Sequence, residues 1–208
     1  MIEQILPVLL YTHIAAGGTA LLSGMVAIVT PKGNKVHKRS GKVYFYAMLL
    51  VALSAFVISV IKSNAFLLAI SIFSFYLTYF GYRALKNRTA KFVWYDWAVI
   101  VFSTANALYM VYTRNIVLVA FGLILVMLAS RNVQAQLSGE EKLKEARKLR
   151  LLSHSGNMLG SYIATVTAFT VVNINFVKPG WIVWLLPTAI GLPAIMYYNR
   201  KLKAKLKS

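Results

Sequence analysis

A chain of 208 residues that is 59% hydrophobic and 13% charged, with a mean hydropathy of +0.64, has too little polar surface to cover a soluble globule of its size. Ordinary soluble domains are roughly 45–50% apolar even when glycine is counted. The formal charge of +18 would elsewhere suggest nucleic acid, but the cations sit in short clusters between long uncharged runs, so no nucleic-acid partner is expected. The absence of cysteine excludes disulfides, thiolate metal sites and c-type haem attachment.

The apolar runs predict an all-α fold, a polytopic membrane helix bundle forming a single domain over 1–208. Seven transmembrane helices are expected at about 5–30, 44–61, 65–85, 92–113, 116–130, 151–173 and 181–198. The first run carries Glu3 as its only charge and lacks the basic leader of a cleaved signal peptide, so it reads as the first membrane helix. The fifth is short and needs local thinning or flanking residues to cross. Of the 23 Lys and Arg residues, 20 fall in 31–43, 83–91, 131–152 and the tail 199–208, leaving Lys62, Arg114 and Lys178 on the other side. Basic loops stay in the cytoplasm, which sets the N-terminus outside and the C-terminus inside. The expected home is a bacterial inner membrane.

Lys62-Ser63-Asn64 and Arg114-Asn115 leave room only for tight outer connections. The largest soluble piece is 131–150, where Ser138-Gly139-Glu140-Glu141 reads as a capping box opening a helix that runs on into the sixth span. Its basic face suits anionic headgroups, at about 1 kcal/mol per cation. Trp94, Tyr95, Trp97, Trp181 and Trp184 sit near span ends as an aromatic belt, and Pro187, Gly191 and Pro193 predict a kink in the last span.

The sixth run, LLSHSGNMLGSYIATVTAFTVVN, carries Gly156, Gly160, Ala164 and Ala168 at steps of four, one helix face on which two backbones can approach closely. Gly17, Ala20 and Gly24 make a similar stripe in the first run, headed by His13. Ionisable residues inside spans are functional candidates because burying them unpaired is costly. The candidates are His13, Arg83, Asp96 and His154, with His37 in the first basic loop. His13 lies roughly 20–25 Å above the inner end of its helix at 1.5 Å per residue, and the others belong near the cytoplasmic boundary. His37, His154 and Asp96 are therefore the inner set for a divalent metal, while Arg83 with Asp96 also reads as an ion pair orienting spans three and four. Ser71, Ser74, Thr78, Ser103, Thr104 and Asn106 either line a polar cavity or bond helix to helix.

No lysine lies within a span, which excludes a retinal Schiff base, and no GxSxG, HExxH, Walker A or GxGxxG pattern occurs. The segments HIAAGGTALLSGMVA, KGNKVHKRSGKVYF, FSFYLTYFGYRAL, HSGNMLGSYIATVTAF and LPTAIGLP together resemble a family of small bacterial integral-membrane proteins known as a domain of unknown function. The resemblance implies a polytopic fold and supplies no activity. That family often carries an acid shortly after the fifth span, where this chain reads Ala129-Ser130-Arg131-Asn132.

Three functional readings follow. The first is a redox or metal centre held by histidines, haem b the leading cofactor, with His154 and His37 as ligands and His13 facing a separate outer pocket. The second is a non-enzymatic module that binds a lipid, a small apolar molecule, a second copy or a partner subunit through the small-residue faces. The third is metal-dependent hydrolysis at the inner leaflet through His37, His154 and Asp96.

Overall fold

Asparagines start three of the helices. The side chain of Asn34 accepts the His37 N–H at 2.7 Å, Asn64 accepts from Leu67 and Asn115 accepts from Val117 and Leu118; each cap of this kind contributes about 1 kcal/mol. In the computed structural model, which describes residues 2–174 and 176–205, the regular elements are all helical. They are α1 (Ile2–Val29), α2 (Lys35–Ile61), α3 (Ala65–Lys86), α4 (Trp94–Tyr112), α5 (Ile116–Leu137), α6 (Gly139–Lys148), α7 (Arg150–Asn173) and α8 (Trp181–Lys205). Met1, Asn175 and residues 206–208, Lys207 of the basic tail among them, lie outside the described residues.

Hydropathy marks where lipid-compatible sequence stops, but the backbone hydrogen-bond ladder does not stop there. Helix α2 begins at Lys35, capped by Asn34, so His37 occupies its first turn and not a loop. Helix α5 continues past Ser130 to Leu137, 22 residues that reach about 33 Å at 1.5 Å each. At its end Asn132 donates to the Tyr76 hydroxyl at 2.7 Å, and Gln136 takes the Phe92 N–H and donates to the Ala90 carbonyl. Helix α8 carries the described part of the basic tail and runs as one element through Pro187 and Pro193; α1 is likewise continuous through Gly17-Gly18.

The expected continuous helix from Ser138 into the sixth span is broken. Helix α6 ends at Leu149 (φ −91°, ψ 9°), where α7 begins, and the Ser138 side chain makes no capping bond. The reciprocal acid of a capping box appears instead on α4, where Asp96 accepts the Val93 N–H at 3.0 Å.

Helices α1 to α5 pack in chain order, each on the next. Helix α7 then lies against α3 and α1, and α8 closes on α7 and α5. The main core joins α3, α4 and α5 through Phe73, Tyr76, Phe80, Met110, Phe121 and Leu125. A smaller cluster of Ala20, Tyr44, Ala47 and Met48 receives Met158 and Tyr162 from α7. Five helices, α1, α2, α3, α5 and α8, are long and apolar enough to cross a membrane. Helices α4 and α7 are less apolar for a visible reason: α7 buries Asn157, Ser161, Thr165 and Thr167, and α4 buries Asp96, Ser103 and Asn106. Large apolar side chains such as Leu22, Phe102 and Val172 face outward, a surface suited to lipid.

The small residues divide into close contacts and open positions. A Cβ on Gly24 would lie 2.6 Å from the Tyr162 ring, and one on Gly81 would lie 2.9 Å from Met158, so each glycine sets a helix approach to α7. Gly156 faces Asn199 of α8 at 3.3 Å, Gly160 faces Leu77 of α3 at 3.6 Å, Ala164 packs on the main core and Ala168 is exposed. Ala20 is fully buried, whereas a Cβ on Gly17 meets nothing within 4 Å.

Candidate functional site

The backbones of α2 and α7 do not pack directly on each other, but their side chains reach one another in a fixed register. The Tyr44 hydroxyl lies 2.8 Å from Ser161 Oγ and Met48 Sδ lies 3.1 Å from Thr165 Oγ1, both pairs separated by 117 residues. A constant separation means that the two helices run parallel without slipping. Two turns back along both, at the same separation, stand His37 on the first turn of α2 and His154 on the second turn of α7.

Each ring is held by a backbone carbonyl. His154 Nδ1–H donates to the Gly81 carbonyl of α3 at 2.8 Å, and His37 Nδ1–H donates to the Ala27 carbonyl of α1 at 2.9 Å. A carbonyl can only accept, so in the neutral rings the proton sits on Nδ1 and the lone pair on Nε2. Both side chains are half-buried. Nearby, Lys32 Nζ also donates to the Ala27 and Ile28 carbonyls and closes the end of α1.

Below the pair the seam is polar and in part open. Thr78 gives its proton to the Ser74 carbonyl at 2.9 Å, so Ser161 donates to Thr78 at 2.7 Å and Tyr44 donates to Ser161. The chain of hydroxyls therefore has one direction, with the free lone pairs of Tyr44 Oη at its head. Asn157, one turn of α7 nearer the histidines, is 9% exposed; its Nδ2 donates to the Ser153 carbonyl and its Oδ1 has no partner among the described residues. A Cβ on Gly41, which lies between His37 and Tyr44 on α2, would meet nothing within 4 Å.

Asp96 belongs to a different seam. Its helix α4 touches α3 and α5 and neither α2 nor α7. Its Oδ1 accepts from Arg83 Nε at 2.7 Å and from the Tyr79 hydroxyl at 2.5 Å, while Oδ2 accepts from Arg83 Nη2 at 2.8 Å and from the Val93 N–H at 3.0 Å. Both carboxylate oxygens are thus committed to an ion pair between α3 and α4. Among the described residues no group of three or more His, Cys, Asp or Glu side chains comes together to hold a metal, so the set His37, His154 and Asp96 is not assembled. His13 is also apart: its Nδ1 bonds Ser54 Oγ at 3.0 Å, and it stands fourteen residues, about 21 Å at 1.5 Å each, from the Ala27 that anchors His37.

A ring whose Nδ1–H is held by a backbone carbonyl presents its Nε2 lone pair outward, the orientation a metal-ligating histidine takes. Tyr44, Ser161, Thr78 and Asn157 escape a reading based on ionisable residues. Their signal was the polar step of four at 157, 161 and 165 within an apolar run.

Residues 10–137 match the family described as "Predicted membrane protein (DUF2306)". No curated protein and no solved structure matches the chain significantly. The matched stretch begins within α1 and ends on the last residue of α5; it contains His13, His37, Arg83 and Asp96, and leaves α6 to α8 with His154 beyond it.

Proposed function

Starting from the fact that the chain belongs to the family of predicted membrane proteins matched over residues 10–137, we propose that it crosses a bacterial inner membrane seven times and uses His37 and His154 to hold a redox or metal centre, haem b first. The topology has the N-terminus outside and the C-terminus inside. It rests on the asymmetry that gathers 20 of 23 cations on one side. Helices α4 and α7 cross despite lower hydropathy because their polar residues face the bundle and not lipid.

The observation that supports the centre is that His37 and His154 stand at matching positions of the α2/α7 register, with Nδ1 of each ring donating to a backbone carbonyl. Those carbonyls fix the tautomer, raise the basicity of Nε2 and hold each ring against rotation. Gly41 leaves room beside the pair, and packing by Met158 on Gly81 sets the distance of α7 from α3. Haem, when bound, supplies one-electron chemistry whose potential follows from ligation and burial.

The test is an absorption spectrum with metal analysis on protein purified in mild detergent. A Soret band or a stoichiometric metal is expected in the wild type and in His13→Ala, and is lost in His37→Ala and in His154→Ala. Wild-type protein with neither signal overturns the reading and leaves the non-enzymatic lipid- or partner-binding module, for which His154→Ala is silent.

A further inference from the structure

At the end of the bundle capped by α6, a cleft of about 130 Å³ opens between α3, α5, α6, α7 and the 87–93 connection. That is well above the ~10–15 Å³ that one water requires. Its floor is the Phe80–Phe92 pair, ring centres 5.7 Å apart, and Ala146 of α6 lines the opposite side. The lining holds two guanidinium groups, Arg83 and Arg150, and no carboxylate.

The charged groups in this cleft are donors with hydrogen-bonding capacity to spare. Arg83 spends Nε and Nη2 on Asp96 and keeps Nη1. Arg150 has no hydrogen-bond or ion-pair partner among the described residues, and its charge is balanced by no acid in the lining. The Ser153 hydroxyl receives the Asn157 amide at 3.4 Å and retains its own proton to give. Of the amides around the rim, Gln136 is held at both ends by the Ala90 and Phe92 backbone, and Asn132 donates to Tyr76. Glu140 links α6 to the 87–93 connection through Lys91 at 3.0 Å and pairs within α6 with Arg147 at 3.2 Å.

A cleft that offers two guanidinia and a hydroxyl and no carboxylate suits an anion with several oxygen acceptors. We infer that this cleft binds a phosphate group, carried by an anionic lipid headgroup or free in solution, with Arg150 as its principal charge and Ser153 and Arg83 Nη1 as further donors. The inference is independent of the histidine pair, since no ligand of that pair lines the cleft.

The test uses the full chain in neutral-lipid nanodiscs, with phosphatidylglycerol and inorganic phosphate titrated separately and binding read by native mass spectrometry and phosphorus NMR. Saturable binding with about one site is expected. Arg150→Gln weakens it at least fivefold, and Ala146→Leu, which fills the cleft and leaves its charge intact, weakens it similarly. Lys38→Gln, an exposed cation on α2, changes it less than twofold. Circular dichroism verifies that each variant is folded. If millimolar inorganic phosphate displaces the lipid, the cleft accepts free phosphate; if it does not, the site takes the lipid headgroup. The inference is overturned if neither probe saturates, if Lys38→Gln weakens binding as much as Arg150→Gln, or if Ala146→Leu binds like the wild type.

Discussion

Changing Asp96 to Asn removes one negative charge and almost no volume. The side chain of Asp96 is fully buried, whereas that of Arg83 keeps 17% of its exposure. Breaking a buried ion pair by removing one partner typically costs about 3–5 kcal/mol. Here Arg83 opens onto the cleft beside Arg150 and regains part of its hydration, and an Asn oxygen still serves the Val93 N–H, so about 2–3 kcal/mol is the better figure. For a chain of this length that corresponds to a fall of roughly 5–10 °C in apparent Tm. Thermal unfolding of detergent-solubilised protein, followed by circular dichroism, measures it. The double variant Arg83→Met/Asp96→Asn removes both charges and recovers about half the loss, since no guanidinium is left without its partner. An Asp96→Asn protein within about 2 °C of wild type, or a double variant that loses the sum of the two singles, refutes the assignment of this pair as the clamp between α3 and α4.

Two further outcomes follow from named contacts. Gly24→Ala forces a methyl into the Tyr162 ring and lowers stability by about 1–3 kcal/mol, whereas Gly17→Ala enters open space and raises it by about 0.5–1 kcal/mol through helix propensity; a Tm shift of the same sign in both would contradict the α1/α7 packing. The Lys91 ammonium, and then Arg147, hold the Glu140 carboxyl below its usual range. A depressed carboxylate contributes stability above its unfolded pKa and loses it as pH falls through the folded one, so amide protection factors across 139–148, corrected for the intrinsic pH dependence of exchange, should fall as pH drops below the ordinary glutamate range. Protection factors in α6 that do not change with acid would dissociate the helix from that pair.

The apolar runs located every membrane-length helix because lipid compatibility is a property of composition, which sequence displays directly. Their ends were less legible. Charged residues form helix as readily as apolar ones, so α2 reached back through Lys38 and Arg39 to an asparagine cap that hydropathy does not register, and α5 ran on through Arg131 and Asn132. On α7 the eye is drawn to Gly156, Gly160, Ala164 and Ala168, yet its most buried stripe is one residue further on, at Asn157, Ser161 and Thr165. The small residues let α3 and α8 approach, while the hydroxyls and the amide face α2 and α3. Nothing local in sequence reveals that side chains of α2 reach those of α7, because that is set by which helices pack on α1 and α3. The matching positions of His37 and His154 along that register follow from it and were invisible for the same reason.

The separation of 117 residues across the α2/α7 seam also sets a schedule for biogenesis. At about 5–20 residues per second, roughly 6–25 s pass between synthesis of the α2 half of the seam and synthesis of the α7 half. Throughout that interval Tyr44 stands in a hydrophobic surrounding with its hydroxyl unmatched, and His37 has only the end of α1 beside it. The first five helices must therefore be inserted and held as a partial bundle with an open flank, shielded by lipid or by the insertion machinery. Only the arrival of α7 closes it, so a ribosome that stalls before Arg150 leaves the Tyr44 flank of the partial bundle without its partners Ser161 and Thr165.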